Sequence, residues 1–126
     1  MVAAVKRRIL IVDDEPGIGR VLGLRFKLAG YEVITTTSGS EAIELIHTHS
    51  PNLVLLDILM PGLTGLDVIE RVRTFSTVPI VVMTARPESE REATEIGADY
   101  SLAKPFDVDA LVRRIGLFLG GDPAER

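Results

Sequence analysis

The sequence predicts a three-layer, doubly wound α/β fold in which five βα units build a five-stranded parallel sheet. Short runs of branched apolar residues alternate with segments of helical spacing along the 126-residue chain. Most of these runs lack polar alternation, which is typical of strands buried on both faces of a parallel sheet. A hydrophobic content of 46% in a chain of this length suits one domain with a continuous core.

The strands are predicted from β-branched and apolar runs bounded by turn residues. The first, third and fourth runs are continuous, whereas the second is mixed and the fifth is weaker. In chain order, the predicted strands cover residues 9–12, 31–34, 53–56, 80–83 and 100–103.

Helical periodicity predicts the first three helices between these strands. The first follows Pro16 and ends at Gly30, and Ser38 with Glu41 has the spacing of a capping box at the start of the second. The expected buried face of the first helix consists of Ile18, Val21, Leu22, Leu28 and Ala29. The stripes of the second and third helices are Ala42, Leu45 and Ile46, and Leu66, Ile69 and Val72.

The last two helices differ in the strength of their pattern. The fourth, roughly 89–96, is apolar only at Ala93 and Ile96, so we expect it to be short and mobile. The fifth has the clearest apolar stripe, formed by Val108, Leu111, Val112, Ile115, Phe118 and Leu119. We expect a single domain over 1–126, with a core of about 8–119, a frayed lead-in before it and a tail or linker over 120–126.

Composition narrows the classes of function. The chain has no cysteine, so disulfides, thiolate metal sites and cysteine nucleophiles are excluded. A net charge of −4 disfavours direct binding of nucleic acid, which needs a basic surface. The apolar runs 53–56 and 78–83 are far shorter than the ~20 residues of a membrane helix, and residues 1–8 lack the apolar stretch of a secretion signal. A cytoplasmic domain without membrane contact is therefore expected.

Polar residues follow four of the predicted strands at the point where each strand ends. Asp13 and Asp14 follow the first strand, Asp57 the third, Thr84 the fourth and Lys104 the fifth. A flavodoxin-like strand order of 2-1-3-4-5 leaves the second strand at an edge and brings these four carboxyl ends together. The sequence therefore predicts one pocket with three carboxylates, a hydroxyl and an ammonium group.

Three crowded carboxylates need a proton or a cation at neutral pH, and Mg²⁺ prefers oxygen ligands of this kind. A carboxylate that is not needed for the metal can attack phosphorus, provided that the charge on the phosphoryl oxygens is neutralised. Asp57 stands alone on the central strand and is the better nucleophile, whereas Asp13 and Asp14 form a pair suited to a metal. The metal, Thr84 and Lys104 would neutralise the phosphoryl charge.

Each of these residues also has an ordinary structural interpretation. Asp13 and Asp14 could cap the following helix, and Asp57 could be a loop aspartate at a strand end. Thr84 could form a local turn, and Lys104 could be an ion-pair partner of the acids. The coincidence of all of them at one sheet edge favours the functional interpretation.

Four segments, ILIVDDE, LVLLDILMPGLTG, VVMTA and SLAKPF, resemble the receiver domains of two-component response regulators, over about residues 8–119. The resemblance implies that Asp57 accepts a phosphoryl group from a sensor histidine kinase or a phosphotransfer protein. It also implies an effector domain or output protein, and a homodimer on phosphorylation.

The resemblance further assigns roles within the pocket. Asp14 would bind Mg²⁺ directly, Asp13 through water, and the backbone carbonyl of Leu59 would be a third contact. Thr84 and Lys104 would bind the phosphoryl oxygens. The peptide bond between Lys104 and Pro105 would be cis.

Two features depart from the family pattern. The aromatic switch residue is expected three positions before the lysine, where this chain has Ser101, with Tyr100 one place earlier. Because successive strand residues face opposite ways, Tyr100 takes the family position only if the strand contains a bulge. The segment 84–97 is also shorter than the family leads us to expect, which predicts a shortened fourth helix.

The sequence disfavours functions other than a signalling switch. A phosphatase with an aspartyl-phosphate needs a second aspartate two residues after the nucleophile, where this chain has Leu59. We therefore expect that the chain has no conventional enzyme activity. We also expect its self-dephosphorylation to be slow, and Arg86 to slow it further. A receiver-like module without phosphorylation would have lost a pocket residue, and a flavin phosphate would be repelled by the acidic loop after the first strand.

Overall fold

A computed structural model describes residues 6–119 as one five-stranded parallel sheet covered by five helices, in the order β2-β1-β3-β4-β5. The predicted fold class and strand order are confirmed. The strands are Arg8–Val12 (β1), Glu32–Thr36 (β2), Leu53–Asp57 (β3), Ile80–Thr84 (β4) and Tyr100–Ala103 (β5). The helices are Pro16–Leu28 (α1), Gly39–His49 (α2), Gly65–Val72 (α3), Pro87–Glu95 (α4) and Val108–Phe118 (α5). The predicted tail, 120–126, and most of the lead-in lie outside the described residues.

The strands send alternate side chains into two apolar clusters, one on each face of the sheet. The strand residues that pack against α2, α3 and α4 are Leu10, Val12, Val54, Leu56, Ile80 and Val82. Those that pack against α1 and α5 are Ile9, Ile11, Leu53, Leu55, Val81 and Met83. Every residue of β3 and β4 is buried, which is why their sequences show no polar alternation.

The second strand is displaced from its predicted position of 31–34. Tyr31 lies before the strand and is buried, with its ring edge-on to Phe26 at a centroid distance of 5.7 Å. The Tyr31 amide donates to the carbonyl of Phe26, so Tyr31 belongs to the turn that closes α1. The strand continues through the polar residues Thr35 and Thr36 because it pairs with β1 along its whole length.

The buried face predicted for α1 is wrong in part. Val21 and Leu28 were expected inside, but they are 57% and 75% exposed, and the buried residues are Gly19, Leu22, Gly23 and Phe26. Gly19 and Gly23 face β2, where a methyl group at Gly23 would make ordinary van der Waals contact with Val33 at 3.4 Å. The large side chain of Phe26 fills the space below them.

The other helices largely follow the predicted stripes. In α5, Leu111, Ile115 and Leu119 are buried, but Phe118, which was predicted on the same stripe, is 48% exposed. Ser38 caps α2 by accepting the amide of Glu41 at 3.2 Å. Within residues 6–119, no helix is long and apolar enough to span a membrane.

The fourth helix begins earlier than predicted, because Pro87 suits a first helical position. Its buried residues are Ser89 and Ala93, and Ile96, which was predicted inside it, follows its end. The helix has nine residues, one more than predicted, and its mobility stays a prediction.

The packing of α1 predicts that two substitutions in this helix change the stability by very different amounts. Phe26→Ala removes a fully buried ring and should lower the free energy of unfolding by about 3–5 kcal/mol. Leu28→Ala removes a side chain that is 75% exposed, and should change it by less than about 0.5 kcal/mol. Urea denaturation of both variants measures the difference, and an equal loss would contradict the observed face.

Candidate functional site

Asp13 is held at the end of β1 by two backbone contacts. Its amide donates to the carbonyl of Thr36 on the neighbouring strand at 3.1 Å. One carboxylate oxygen, Oδ1, accepts the amide of Glu15 at 2.9 Å, which closes a turn before α1. The other oxygen, Oδ2, is buried and has no hydrogen-bond donor among the described residues. It faces the centre of the sheet edge, where Lys104 lies.

Asp57 is the last residue of β3, the central strand. The amide of Ile58 donates to the carbonyl of Met83 at 3.2 Å, so the chain stays attached to β4 beyond the end of the strand. The amide of Leu59 donates to Asp57 Oδ1 at 3.3 Å. The side chain of Asp57 is 4% exposed, and its second oxygen points toward Lys104.

Lys104 connects the two buried acids. Its ammonium nitrogen lies 3.5 Å from Asp13 Oδ2 and 3.4 Å from Asp57 Oδ2. The Lys104 amide donates to the carbonyl of Thr84 at 2.8 Å, and the bond to Pro105 is cis, as the resemblance implied. The ion-pair interpretation of Lys104 is therefore confirmed for this state of the protein.

Thr84 ends β4 and is buried, at 1% exposure. Its hydroxyl oxygen accepts the amide of Arg86, the residue that precedes α4. Thr84 therefore forms the local turn that the sequence allowed, and it connects the pocket to the start of α4.

The three aspartates form one acidic cluster. A carboxylate oxygen from each of Asp13, Asp14 and Asp57 lies within 4.8 Å of the others. Burial raises the pKa of the Asp57 carboxyl from 3.8 to about 6, and the negative charge of Asp13 adds to this rise. The Lys104 ammonium and the Leu59 amide lower the pKa and offset part of the effect. The predicted gathering of the acids and Lys104 is thus observed.

The residues present fit a hard divalent cation. They supply three clustered carboxylate oxygens, and the buried Asp13 Oδ2 accepts no hydrogen bond and has only the ion-pair contact with Lys104 at 3.5 Å. Burial, and after it the negative charge of Asp13, keeps the pKa of Asp57 raised although Lys104 lowers it. Mg²⁺ binds oxygen ligands and keeps several waters, which suits Asp14, the more exposed member of the cluster.

Tyr100 does not take the position expected of a switch aromatic. The pairing of β4 with β5 runs through four consecutive residue pairs, so no bulge shifts Tyr100 to the other face. Tyr100 packs on the α5 side, where the Arg114 guanidinium lies 4.7 Å from its ring centre. Ser101 faces the opposite side and lines a cavity against α4.

Two contributors to the site were not found from the sequence. The carbonyl of Thr36 holds Asp13, although β2 was set aside as an edge strand. Gly65 begins α3 against the backbone of Asp57, where no side chain would fit. The sequence gives no indication of the role of Thr36, because its contact is made by a backbone carbonyl, which every residue has. A glycine in the first turn of a helix, eight residues after Asp57, was the available signal for the second.

Comparison with known proteins decides the family. A sequence model described as "Response regulator receiver domain" matches residues 9–116. The chain belongs to this family. The receiver domain is 45% identical over 112 residues to the probable transcriptional regulator ycf27 of Porphyra purpurea, covering 87% of this chain and 46% of that protein. It is 37% identical over 109 residues to the transcriptional regulatory protein KdpE of Mycobacterium tuberculosis H37Rv, covering 85% and 48%.

Solved structures agree with the fold. A putative response regulator from Chloroflexus aurantiacus J-10-fl superposes with a TM-score of 0.85 at 35% identity, covering 91% of this chain and 98% of that one. This chain spans less than half the length of the two transcriptional regulators. The match identifies a receiver domain of the two-component response-regulator type.

The raised pKa of Asp57 predicts how stability depends on pH. Between pH 3.8 and about 6, the folded receiver domain holds a proton that the unfolded chain has released. Stability should therefore fall as pH rises through this window and stay lower above it. Asp57→Asn should be more stable than wild type at neutral pH by about 3 kcal/mol, and this gain should vanish below the unfolded pKa.

Urea denaturation of metal-free protein at several pH values measures this difference. Glu70→Gln is the matched control, because Glu70 is exposed on α3 and should bring no gain at neutral pH. A gain for Asp57→Asn that persists at acidic pH would contradict the electrostatic cause.

Proposed function

We propose that this receiver domain accepts a phosphoryl group on Asp57 in a Mg²⁺-dependent reaction, and thereby controls an output. The donor is a sensor histidine kinase or a phosphotransfer protein. The carrying observation is the placement of Lys104 within 3.5 Å of two buried aspartates, beside a cluster of three carboxylates. Asp13, Asp14, Asp57 and the backbone carbonyl of Leu59 are proposed to hold the metal. Thr84 and Lys104 are proposed to bind the phosphoryl oxygens.

In the proposed reaction, Asp57 Oδ2 attacks phosphorus while the bond from phosphorus to the donor nitrogen breaks, and its electrons return to the donor imidazole. Asp57 must be ionised to attack, and a pKa of about 6 leaves it mostly ionised at neutral pH. Bound Mg²⁺ would neutralise charge on the phosphoryl oxygens. The Lys104 ammonium, now paired with Asp57, would move its contact to one of those oxygens.

Phosphorylation would act on the rest of the domain through Thr84. The new group adds negative charge and strong acceptors at Asp57, which draw the Thr84 hydroxyl and Lys104 inward. That hydroxyl now accepts the amide of Arg86, which precedes α4. Its movement would loosen this turn and shift the equilibrium of α4 and the neighbouring loops.

We place the donor over an apolar groove beside the pocket. The groove has a volume of about 650 Å³ and lies between the start of α1 and the segment after β5. Its lining includes Ile18, Val21 and Phe106 together with Lys104, so a partner bound there is close to Asp57. A docked protein is held at a reactive distance, as phosphoryl transfer requires.

The remaining assignments concern the whole protein. We propose a single receiver domain over 1–126, an effector domain or separate output protein, and a homodimer on phosphorylation. Nucleic acid would be contacted only by another module, and the protein would act in the cytoplasm without membrane contact. The domain is proposed to catalyse only its own phosphorylation and dephosphorylation.

Intact mass measurement tests the central proposal. Wild-type protein treated with Mg²⁺ and acetyl phosphate should gain the mass of one phosphoryl group, and Asp57→Asn should gain none. Asp67→Asn, which removes an exposed carboxylate on α3, should react like wild type. If folded wild-type protein gains no mass while a known receiver domain does, the chain is an interaction module without phosphorylation.

The apolar side chain of Leu59 predicts a long lifetime of the phosphorylated state. Its side chain is 47% exposed, and it follows Asp57 by two residues, where an acid could activate water. Leu59→Asp should shorten the phosphoryl half-life by about tenfold or more, whereas Leu59→Ala should not. Decay of the phosphorylated mass with time measures both. A wild-type half-life of seconds would refute the proposed slow dephosphorylation.

A further inference from the structure

The loop between β3 and α3, residues 58–64, packs against two glycines. Each of them is the first residue of a helix, Gly65 of α3 and Gly39 of α2. Gly65 begins α3, and its amide donates to the carbonyl of Ile58 at 2.9 Å. A methyl group at Gly65 would lie 2.5 Å from the carbonyl oxygen of Asp57 and 2.7 Å from the Cα of Ile58. Both are backbone atoms, so no side-chain rotation could relieve the overlap.

The second glycine contacts the same loop from another helix. Gly39 begins α2, and a methyl group there would lie 2.9 Å from the carbonyl oxygen of Leu63 and 3.1 Å from its Cβ. A methyl group of Val68 on α3 would also be 2.9 Å away. Gly39 thus sets how closely α2 approaches the far end of the loop.

Space, not backbone conformation, requires glycine at both positions. The glycines with positive φ in the described part of the chain are Gly30, Gly62 and Gly97. Carbon atoms in normal contact are about 3.5–4.0 Å apart, so a methyl group at Gly65 would separate α3 from the β3 end by up to about 1 Å. The amide of Ile58 also donates a hydrogen bond to the carbonyl of Met83 on β4, which holds this end of the loop in place. The displacement would therefore be taken up in the rest of the loop.

We propose that Gly65 and Gly39 are positioning residues that set the affinity of the site for Mg²⁺. The inference rests on the proposed function, in which the Leu59 carbonyl is a metal contact. Leu59 lies in the loop between the two contacts, and its amide holds Asp57 Oδ1. Moving the loop therefore changes one proposed ligand and the orientation of another at the same time.

Matched alanine variants test this proposal. Gly65→Ala and Gly39→Ala add the methyl groups described above. Gly17→Ala is the control, because Gly17 also lies near the start of a helix, close to the acidic cluster in sequence, and has nothing within 4 Å of an added methyl group. The dissociation constant for Mg²⁺ is measured from metal-induced shifts of amide signals in ¹H–¹⁵N spectra, which also report whether each variant is folded.

We expect Gly65→Ala to weaken Mg²⁺ binding by about 10- to 100-fold, as changes around metal ligands commonly do, with a smaller loss for Gly39→Ala. Gly17→Ala should bind as wild type does. The Mg²⁺ concentration needed for half-maximal phosphorylation by acetyl phosphate should rise in the same order.

Two results would overturn the inference. If Gly65→Ala is folded and less stable but binds Mg²⁺ as tightly as wild type, the glycine has only a structural role. If Gly65→Ala does not fold, Gly39→Ala decides, and unchanged Mg²⁺ affinity in that variant rejects the proposal. Wild-type protein that binds no Mg²⁺ would instead reject the proposed function itself.

Discussion

Burial of neighbouring carboxylates at one edge of the sheet is the constraint on which the rest of the site depends. Asp13 and Asp57 are almost fully buried, so water screens their charges poorly, and Lys104 contacts both. Lys104 offsets only part of this effect, because burial first and the charge of Asp13 second keep the pKa of Asp57 raised. The fold must therefore hold together groups that would separate in solution, and a bound cation would relieve their repulsion.

Backbone hydrogen bonds to the neighbouring strand hold these groups in place. The amides of Asp13, Ile58 and Lys104 each donate across to an adjacent strand, beyond the regular pairing. The strands themselves are anchored by apolar clusters on both faces. Charged side chains on a rigid backbone lose little entropy when a ligand binds, which is the basis of preorganisation. The same rigidity makes close contacts such as that at Gly65 matter for the site.

The two faces of β5 point toward different helices, one toward α4 and the other toward α5. Tyr100 lies with Arg114 on the α5 side, and the small Ser101 faces α4. No aromatic ring from these two positions therefore lies between the sheet and α4. Under the proposed function, the turn from Thr84 to Arg86 is then the direct connection from the pocket to α4.

The sequence by itself determined the fold class, the strand order and the set of polar residues at the sheet edge, because apolar runs and strand-end residues are local features that a topological rule combines. Their individual roles stay predictions. Only the tertiary structure decided which face of α1 is buried, where β2 begins and how far burial raises the pKa of Asp57. Several faces of α1 are apolar, so periodicity cannot choose among them. The choice depends on how α1 packs against β2, with Gly19 and Gly23 facing Thr35 and Val33, and these contacts join segments distant in the chain.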